Sequence, residues 1–319
     1  AITQTSITTV TTLSLGKHTA KVILDGVMNE WDFTVSLETM NFYFGQLHAH
    51  TNMSDGTGTV DEAYKWARDN AKLDFFALSD HSNSFDNDRA NENITDYNQS
   101  TSTKWKALNS ICDSYNKSGS FVAINGFEMT WSGSTGGWGH INTFNTPWFA
   151  SRTNSAMDLQ AYYQKIAQIP DAIKQLNHPG KVFGDFANFS FRTDEVDAVV
   201  NLIEVGNGEG TVRGSGYFPS YEYYTIALDK GWHIAPANNQ DNHKKHWGNS
   251  NTARTVALAP EKTRESIYDA IRDMRVYAAE DNNIQVMYKV NGEYMGTTLE
   301  NPDQLNFSVK VTDNEPIGK

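Results

Sequence analysis

His48 and His50 stand one residue apart in the run Gly-Gln-Leu-His-Ala-His-Thr-Asn-Met-Ser-Asp-Gly at 45–56. In an extended chain, side chains at i and i+2 point to the same side, so both imidazoles can face one metal ion. Asp55 follows in a turn that ends at Gly56, from which its carboxylate can reach a neighbouring ion. A His-x-His pair also occurs by chance in hairpins, so a metal site needs further ligands elsewhere.

Further residues of metal-binding type stand beside turn residues at the ends of predicted strands. They are His81, Glu128, His140, His178, Asp241 and His243. A single histidine in such a place is usually structural. Together with Asp55, however, this set of imidazoles and carboxylates predicts one site for two or three divalent ions, because both ligand types suit zinc, manganese and iron. The one cysteine, Cys112, excludes an intramolecular disulfide and a zinc–thiolate site.

The elements that must position these residues alternate between strands and helices from residue 41 to 282. Strands are predicted at 42–50, 73–79, 121–125, 140–144, 173–177, 199–205, 233–238 and 255–258, and helices at about 60–71, 105–115, 157–168, 220–230 and 263–274. Thr59 and Glu62 form a capping box at the start of the first helix. The alternation predicts an α/β protein with a parallel sheet that closes into a barrel, whose chemistry lies at the carboxyl ends of the strands.

Both ends of the chain are predicted to be rich in β-strands. Residues 1–40 hold two alternating runs around Asp25-Gly26, and residues 283–319 hold a strand, the turn pair Asn291-Gly292 and another alternating run. We therefore expect three parts, 1–40, 41–282 and 283–319, with the two end segments as incomplete, Ig-like pieces of a longer protein. The alternative is that the strands of the two ends pair with each other.

Composition limits the classes of function. The 319 residues are 39% hydrophobic, which is enough for one large domain with small appendages. A net charge of −12 argues against a general nucleic-acid binder or a binder of anionic membranes, although bound cations would still allow a phosphorylated substrate. No apolar run has transmembrane length, and no signal peptide is visible. The β-rich ends and the scarcity of cysteine favour a secreted or cell-surface bacterial protein, with a cytoplasmic location as the alternative.

The order of the motifs resembles the PHP family, which is named after polymerase and histidinol phosphatase domains. The motifs are His-x-His, Ser-Asp-Gly, Ser-Asp-His, Phe-Glu, Gly-His, His-Pro and Asp-x-His, and they cover residues 42 to 282. The resemblance implies a distorted (β/α)7 barrel with a two- or three-metal site for phosphoester hydrolysis. It also implies that a hydroxide bridging two metal ions attacks the phosphorus while the remaining ion neutralises charge.

The resemblance further implies a ligand set for each metal ion. The first ion would take His48, His50, Glu128 and Asp241; the second would share Glu128 and take His140 and His178; the third would take Asp55, His81 and His243. The family often has histidine where this chain has Asp55, and the variant with aspartate is also common. The implied catalytic residues are Asp55, His81, Glu128 and His243.

Several cationic side chains are candidates for contacts with phosphoryl oxygens: Lys181, Arg213, Lys244, Lys245 and His246. Arg213 is the preferred one and is predicted to be catalytic, because Gly206 to Gly216 has the composition of a loop that approaches a ligand closely. Glu204 and Asn207 are predicted to support the ligands from behind.

Other functions remain open at this stage. The expected substrate is a small-molecule, glycan-linked or lipid-linked phosphoester rather than a nucleic-acid polymer. The same site also suits a metallohydrolase of aryl esters or carbamates. An amidohydrolase-type barrel also opens with His-x-His but usually needs a carboxylated lysine as the metal bridge. A non-catalytic cell-surface binding module with a structural metal site is the remaining alternative.

Overall fold

A computed structural model describes residues 16–35, 39–89 and 92–316 of the chain, which divides into two compact units between Met40 and Asn41. In the first unit, β1 (Gly16–Leu24) and β2 (Val27–Val35) form an antiparallel hairpin. Asp25 and Gly26 form its turn with φ values of 51° and 79°, as the turn signal predicts. Other parts of the predicted β-rich segment, residues 1–15 and 36–38, lie outside the described residues.

The second unit is built on a curled sheet. Its strands are β3 (Asn41–Gln46), β4 (Phe75–Leu78), β5 (Val122–Trp131), β6 (Gly139–Phe144), β7 (Ile173–Asn177), β8 (Leu202–Asn207), β9 (Phe218–Pro219), β10 (Ala235–Asn238), β11 (Arg254–Ala259) and β12 (Val276–Ala279). The order is β10-β8-β7-β6-β5-β4-β3-β11-β12, with β9 beside β8. The two outermost strands approach each other, since Asn238 of β10 donates a 3.0 Å hydrogen bond to the carbonyl of Ala279 in β12. This arrangement is compatible with a barrel-like fold.

The expectation of a uniformly parallel sheet is wrong. β3, β4 and β5 are parallel, as are β7, β8 and β10, but β6 runs antiparallel to both of its neighbours and β11 to both of its own. A short segment, residues 132–138, joins β5 to β6, and a link of that length suits antiparallel neighbours rather than a helical crossover. The exact count of seven β/α units stays a prediction.

Helices cover the outside and one end of the sheet. They are α1 (Val60–Asp69), α2 (Thr103–Tyr115), α3 (Leu159–Ala167), α4 (Phe186–Phe189), α5 (Asp194–Asp197), α6 (Tyr221–Asp229) and α7 (Arg264–Arg272). Single 3₁₀ turns lie at Ser82–Ser84, Tyr97–Gln99 and Gly133–Thr135. The predicted capping box is present on α1, where Thr59 and Glu62 bond each other's backbone amides. Among the described helices, none combines the length and the apolar character needed to cross a membrane.

The core has two layers that leave one end of the sheet available for chemistry. One layer packs the sheet against the outer helices through large side chains such as Trp105, Phe127 and Tyr162. The other layer fills the concave side and includes Phe75 and Ile267 of α7. Hydrogen bonds from α7 reach residues at or just before the amino ends of β5 and β7. The amino ends are therefore closed, and the opposite ends carry the metal-binding residue types.

The C-terminal strands form a separate three-stranded sheet. β13 (Gln285–Val290) pairs with β14 (Glu293–Tyr294) and with β15 (Phe307–Thr312), all antiparallel. The turn at Asn291-Gly292 has φ values of 54° and 88°, as its sequence predicts. In the described residues β15 pairs with β13 and β1 pairs with β2. The Ig-like character of these ends stays a prediction.

Candidate metal centre

Two isolated β-bridges bring the histidine motifs together. The chain leaves β3 at Gln46, and Ala49 then bridges to Asn242 in parallel, while the amide of His50 donates a 2.8 Å hydrogen bond to the carbonyl of Asn242. His48 and His50 therefore lie after the strand rather than inside it, but the extended chain still presents both side chains together. The same bridge places Asp241 and His243 beside them.

Glu128 lies in the middle of the centre. The sequence places it just after a strand that ends at Asn125, whereas β5 continues to Trp131 because β6 extends its pairing. His81 bridges to Glu128 in parallel, and His140 enters at the start of antiparallel β6, opposite Thr130. The antiparallel direction of β6 is the reason that its first residues meet the last residues of the parallel strands.

All nine predicted metal ligands converge at this end of the sheet. Four overlapping groups each keep their ligand atoms within 4.8 Å of one another: His48, His50 and Glu128; His48, His178 and Asp241; Glu128, His140 and His178; and His50, Asp55, His81 and His243. Oε1 of Glu128 lies 3.3 Å from His48 Nε2 and 3.1 Å from His140 Nδ1, while Oε2 lies 2.6 Å from His81 Nδ1. One carboxylate thus faces two sides of the cluster, as a bridging ligand must.

The ligand atoms fit metal ions because several of them are buried without a hydrogen-bond partner. Among the described residues these are His48 Nε2, His50 Nε2, Glu128 Oε2, His178 Nδ1 and Asp241 Oδ1. A buried polar atom without a partner is costly and rare in a native protein. Five such atoms on residues of one cluster, all of types that bind divalent ions, indicate that metal ions supply the missing partners.

The carboxylates at the centre keep their negative charge. Burial alone would raise the pKa of Glu128, but His81 and His140 outweigh it and hold the pKa well below the usual range. Burial would likewise raise the pKa of Asp241, but the charge of His48 outweighs burial and holds this pKa well below the usual range. Anionic oxygens are therefore available for cations across the whole neutral pH range.

The histidines divide into two kinds. Burial opposes the charge on His81, but Glu128 and Asp55 outweigh burial and raise its pKa to about 10. The pKa of His243 is raised to about 9, since Asp55 outweighs burial there too, whereas burial lowers the pKa of His50. In a chain without metal, protons on histidines thus balance the carboxylates. Divalent ions would replace those protons, because imidazole binds a metal in its neutral form.

A set of buried polar residues orients the ligands from behind. Glu204 accepts a 2.9 Å hydrogen bond from His48 Nδ1 and so leaves Nε2 of His48 facing the cluster. It also accepts hydrogen bonds from the amide of His178 and from the side chain of Asn207. Asp80 accepts hydrogen bonds from the backbone and hydroxyl of Thr51, next to His50. Partners of this kind fix the tautomer and direction of a metal-binding histidine.

Two supporting residues were not singled out from the sequence. Asn177 donates a 2.8 Å hydrogen bond to Oε1 of Glu128, and Oγ1 of Thr130 lies 2.7 Å from His81 Nδ1. Thr130 stands between the apolar residues Met129 and Trp131, and Asn177 stands between Leu176 and the predicted ligand His178. A polar side chain in a strand buried on both faces needs a hydrogen-bond partner there, which makes such a position a candidate member of a buried polar network.

The structure does not bring the predicted cation Arg213 to the cluster. Its side chain is 79% exposed and pairs with Glu280, whose carboxylate holds the guanidinium; in the described ranges no hydrogen bond or ion pair joins it to the nine ligand residues. Lys245 pairs with Glu62 at 2.9 Å. Lys244 and Lys181, in contrast, line cavities that border the cluster.

Comparison with known proteins finds solved structures of similar fold. No protein-family model and no curated protein matches the chain. Among solved structures, a two-domain protein from Bacteroides vulgatus ATCC 8482, described as containing a predicted PHP-like metal-dependent phosphoesterase, aligns over 85% of this chain and 76% of its own, with a TM-score of 0.51 and 17% identity. A candidate metal-dependent phosphoesterase from Bifidobacterium adolescentis ATCC 15703 aligns over 72% of this chain and 94% of its own, with a TM-score of 0.37 and 15% identity.

The likeness to the Bacteroides protein identifies the fold class. The chain has the fold of a protein described as PHP-like, which confirms the resemblance that the motifs indicate, at the level of the fold. At 17% identity the likeness carries no more than that.

Proposed function

We propose that the chain is a metal-dependent phosphoesterase. The observation that carries the proposal is the convergence of nine imidazole and carboxylate side chains, five of whose buried ligand atoms have no hydrogen-bond partner among the described residues. The description of the Bacteroides protein with this fold supports the same activity. The nine residues fall into four overlapping groups of possible ligands, which favours several divalent ions rather than one.

The residues that would hold the ions are the nine named above, with Glu128 shared between positions. When bound, divalent ions there would act as Lewis acids that polarise a phosphoryl oxygen and activate water. The protein's part is to aim the ligands. Glu204 directs His48, and the carbonyl of Asp241 accepts a 2.8 Å hydrogen bond from His243 Nδ1, which leaves His243 Nε2 facing Asp55, 3.4 Å from its Oδ1. Fixed ligands of this kind need no rearrangement as charge develops on the phosphoryl group.

Substrate would approach from the side of Asp55, His81 and His243. These side chains are 56%, 17% and 34% exposed, whereas His48, His50 and Glu128 are at most 1% exposed. In this exposed group the pKa values of His81 and His243 are raised to about 10 and about 9, so both histidines are positively charged before metal binding and attract an anionic ester. Exclusion of water from the inner group strengthens the interactions there.

Hydrolysis assays distinguish phosphoesterase from the alternative hydrolases. The metal-loaded chain is expected to hydrolyse p-nitrophenyl phosphate or bis-p-nitrophenyl phosphate. Chelation and dialysis are expected to remove roughly 90% or more of that activity, and addition of Zn²⁺, Mn²⁺ or Fe²⁺ is expected to restore it. The comparison among these two esters also separates monoesterase from diesterase activity. Activity on an aryl carbamate alone would contradict the proposal, and absence of all three activities in a fully metal-loaded chain would favour a binding module.

A further inference from the structure

Two cavities border the metal centre, on different sides of it. One has a volume of about 520 Å³ and shares His140 with the ligand set. The other has a volume of about 440 Å³ and shares Asp241 and His243. Both lie in the range of small-molecule sites, about 300–1,000 Å³. Phe183 lies between them: it lines both cavities, and its ring centroid is 4.6 Å from that of His178.

The two cavities differ in charge. The cavity at His140 is lined by the cations Arg152 and Lys181, and none of its described lining residues is acidic. Nη1 of Arg152 makes a long, 3.4 Å hydrogen bond to the carbonyl of Thr130, and within the part of the chain that the structure describes no carboxylate pairs with Arg152 or Lys181. In a chain with a net charge of −12, this cavity thus presents two cations and no carboxylate among its described lining residues.

The cavity at Asp241 has a mixed character. It is lined by Glu209 as well as by Lys244, and the Glu209 carboxylate accepts a 3.3 Å hydrogen bond from the amide of Lys244. An anionic group would meet a carboxylate there. The two sides of the metal centre therefore suit different chemical groups of one substrate.

The loop that carries Lys181 is held in place by its own backbone. Gly180 and Gly184 exchange hydrogen bonds of 2.9 and 2.8 Å, which close a tight loop directly after His178. Gly184 has a φ of +119°, and a Cβ atom there would lie 2.4 Å from the carbonyl oxygen of Gly137. The loop thus rests on the chain that leads into β6 and His140, so the backbone that carries the exposed Lys181 side chain is held at the edge of the centre.

We propose that the cavity lined by Arg152 and Lys181 binds a second oxyanion of the substrate, carried by the organic part of the ester. The inference rests on the proposed function, because it assigns the substrate class of the same site: a phosphoester whose alcohol portion bears a carboxylate or a further phosphate. The ester itself lies at the metal centre, and the second anion lies beyond His140. Phe183 separates this anion from the acidic cavity.

A binding experiment tests the inference without requiring turnover. The probes are two matched pairs of phosphonates, which resist hydrolysis: 4-phosphonobutanoate with 4-hydroxybutylphosphonate, and 6-phosphonohexanoate with 6-hydroxyhexylphosphonate. Within each pair the compounds differ in carboxylate against CH₂OH, and the two lengths allow for the unknown span between metal centre and cavity. Calorimetry with the metal-loaded chain measures the affinities. The carboxylate member of at least one pair is expected to bind at least about 10-fold more tightly than its hydroxyl partner, the gain expected for a charged hydrogen bond.

Variants assign that preference to the cavity. Arg152→Gln and Lys181→Gln are each expected to reduce the preference about 10-fold while the affinity for the hydroxyl compounds changes less than about 2-fold. Lys230→Gln, which removes an exposed cation at the end of α6, is the matched control and is expected to leave the preference unchanged. Equal affinity within both pairs, or a preference that survives both cavity variants, would overturn the inference.

Kinetics separate this inference from the proposed function. The wild-type chain is expected to hydrolyse 3-phosphoglycerate with a kcat/KM about 10-fold above that for glycerol 3-phosphate, which has CH₂OH in place of the carboxylate, or to show the preference with the longer pair 6-phosphogluconate and sorbitol 6-phosphate. Hydrolysis of all four at equal rates would leave the phosphoesterase in place and contradict the second-anion site. If none of the four esters is hydrolysed but the carboxylate phosphonate still binds more tightly than its hydroxyl partner, the second-anion site stands and the phosphoesterase activity is contradicted.

Discussion

At the scale of single residues, the centre depends on how buried partners aim the ligands. Glu204 is fully buried and receives hydrogen bonds from His48, Gln175 and Asn239 as well as from the backbone of His178. These contacts fix the ring of His48, whose Nε2 then lies 3.2 Å from Asp241 Oδ1. A ligand held in this way binds a metal ion without further ordering.

Glu204→Gln tests this dependence. The amide cannot accept at both of its terminal atoms, so the hydrogen bond that orients His48 is weakened, and metal affinity is expected to fall about 10–100-fold. Metal titration under buffered conditions measures the change. The control is the circular dichroism spectrum of the metal-loaded variant, which should match the wild type; a native spectrum with unchanged affinity would show that Glu204 does not position the ligand.

At the scale of elements, α1 connects the first metal-binding loop to the core. It begins one residue after Thr59, directly behind the loop that carries His48, His50 and Asp55. The capping box satisfies backbone amides that would otherwise lack partners at the start of this helix. The cap therefore acts on the folding of the element, and only indirectly on the ligands.

Thr59→Ala is expected to lower the free energy of unfolding by about 1 kcal/mol, the usual value for loss of an N-cap hydroxyl. Because Thr59 is not a ligand, metal content at saturation should stay the same. Urea unfolding and metal analysis measure the two quantities. Thr59→Ser keeps the cap and serves as the control; equal destabilisation by both variants would argue against capping as the cause.

The elements also show what the sequence could predict. The motifs around His48, His81, His178 and Asp241 could be recognised because each is local and stands beside a strand, and the turns at Asp25-Gly26 and Asn291-Gly292 follow from the positive φ that their residues accept. The direction of β6 could not be predicted, because antiparallel pairing depends on partners that a local pattern does not name. The pairing of Arg213 with Glu280 is likewise a contact between residues far apart in the chain.

At the scale of the whole molecule, one buried cation at the closed end of the sheet makes stability depend on pH. Lys174 in β7 is fully buried, and its ammonium group donates a 2.6 Å hydrogen bond to the carbonyl of Ile169. Burial lowers the pKa of Lys174 to about 7, from 10.5 for an exposed lysine. Between these values the unfolded chain binds more protons than the folded chain, so stability from this group rises with pH.

Lys174→Met removes this dependence. Relative to the wild type, the variant is expected to gain most stability at pH 6, and the gap should shrink as pH rises from about 7 to 10.5, with a maximum slope of about 1.4 kcal/mol per pH unit. Denaturant unfolding at pH 6, 8 and 10 measures it, with the exposed Lys230→Met as control. A stability difference that does not change with pH would show that Lys174 takes up no proton on unfolding in this range, and so that burial does not lower its pKa in the folded chain.

The central claim is that the nine side chains at the open end of the sheet hold the divalent ions on which hydrolysis depends. Elemental analysis and p-nitrophenyl phosphate hydrolysis, measured on the same samples of wild type, His50→Ala and Asp241→Ala, test it most directly. The account predicts two or three ions per wild-type chain, and loss of at least one ion together with roughly 100-fold or more of the activity in each variant. Variants that keep both the full metal content and the full activity would contradict it.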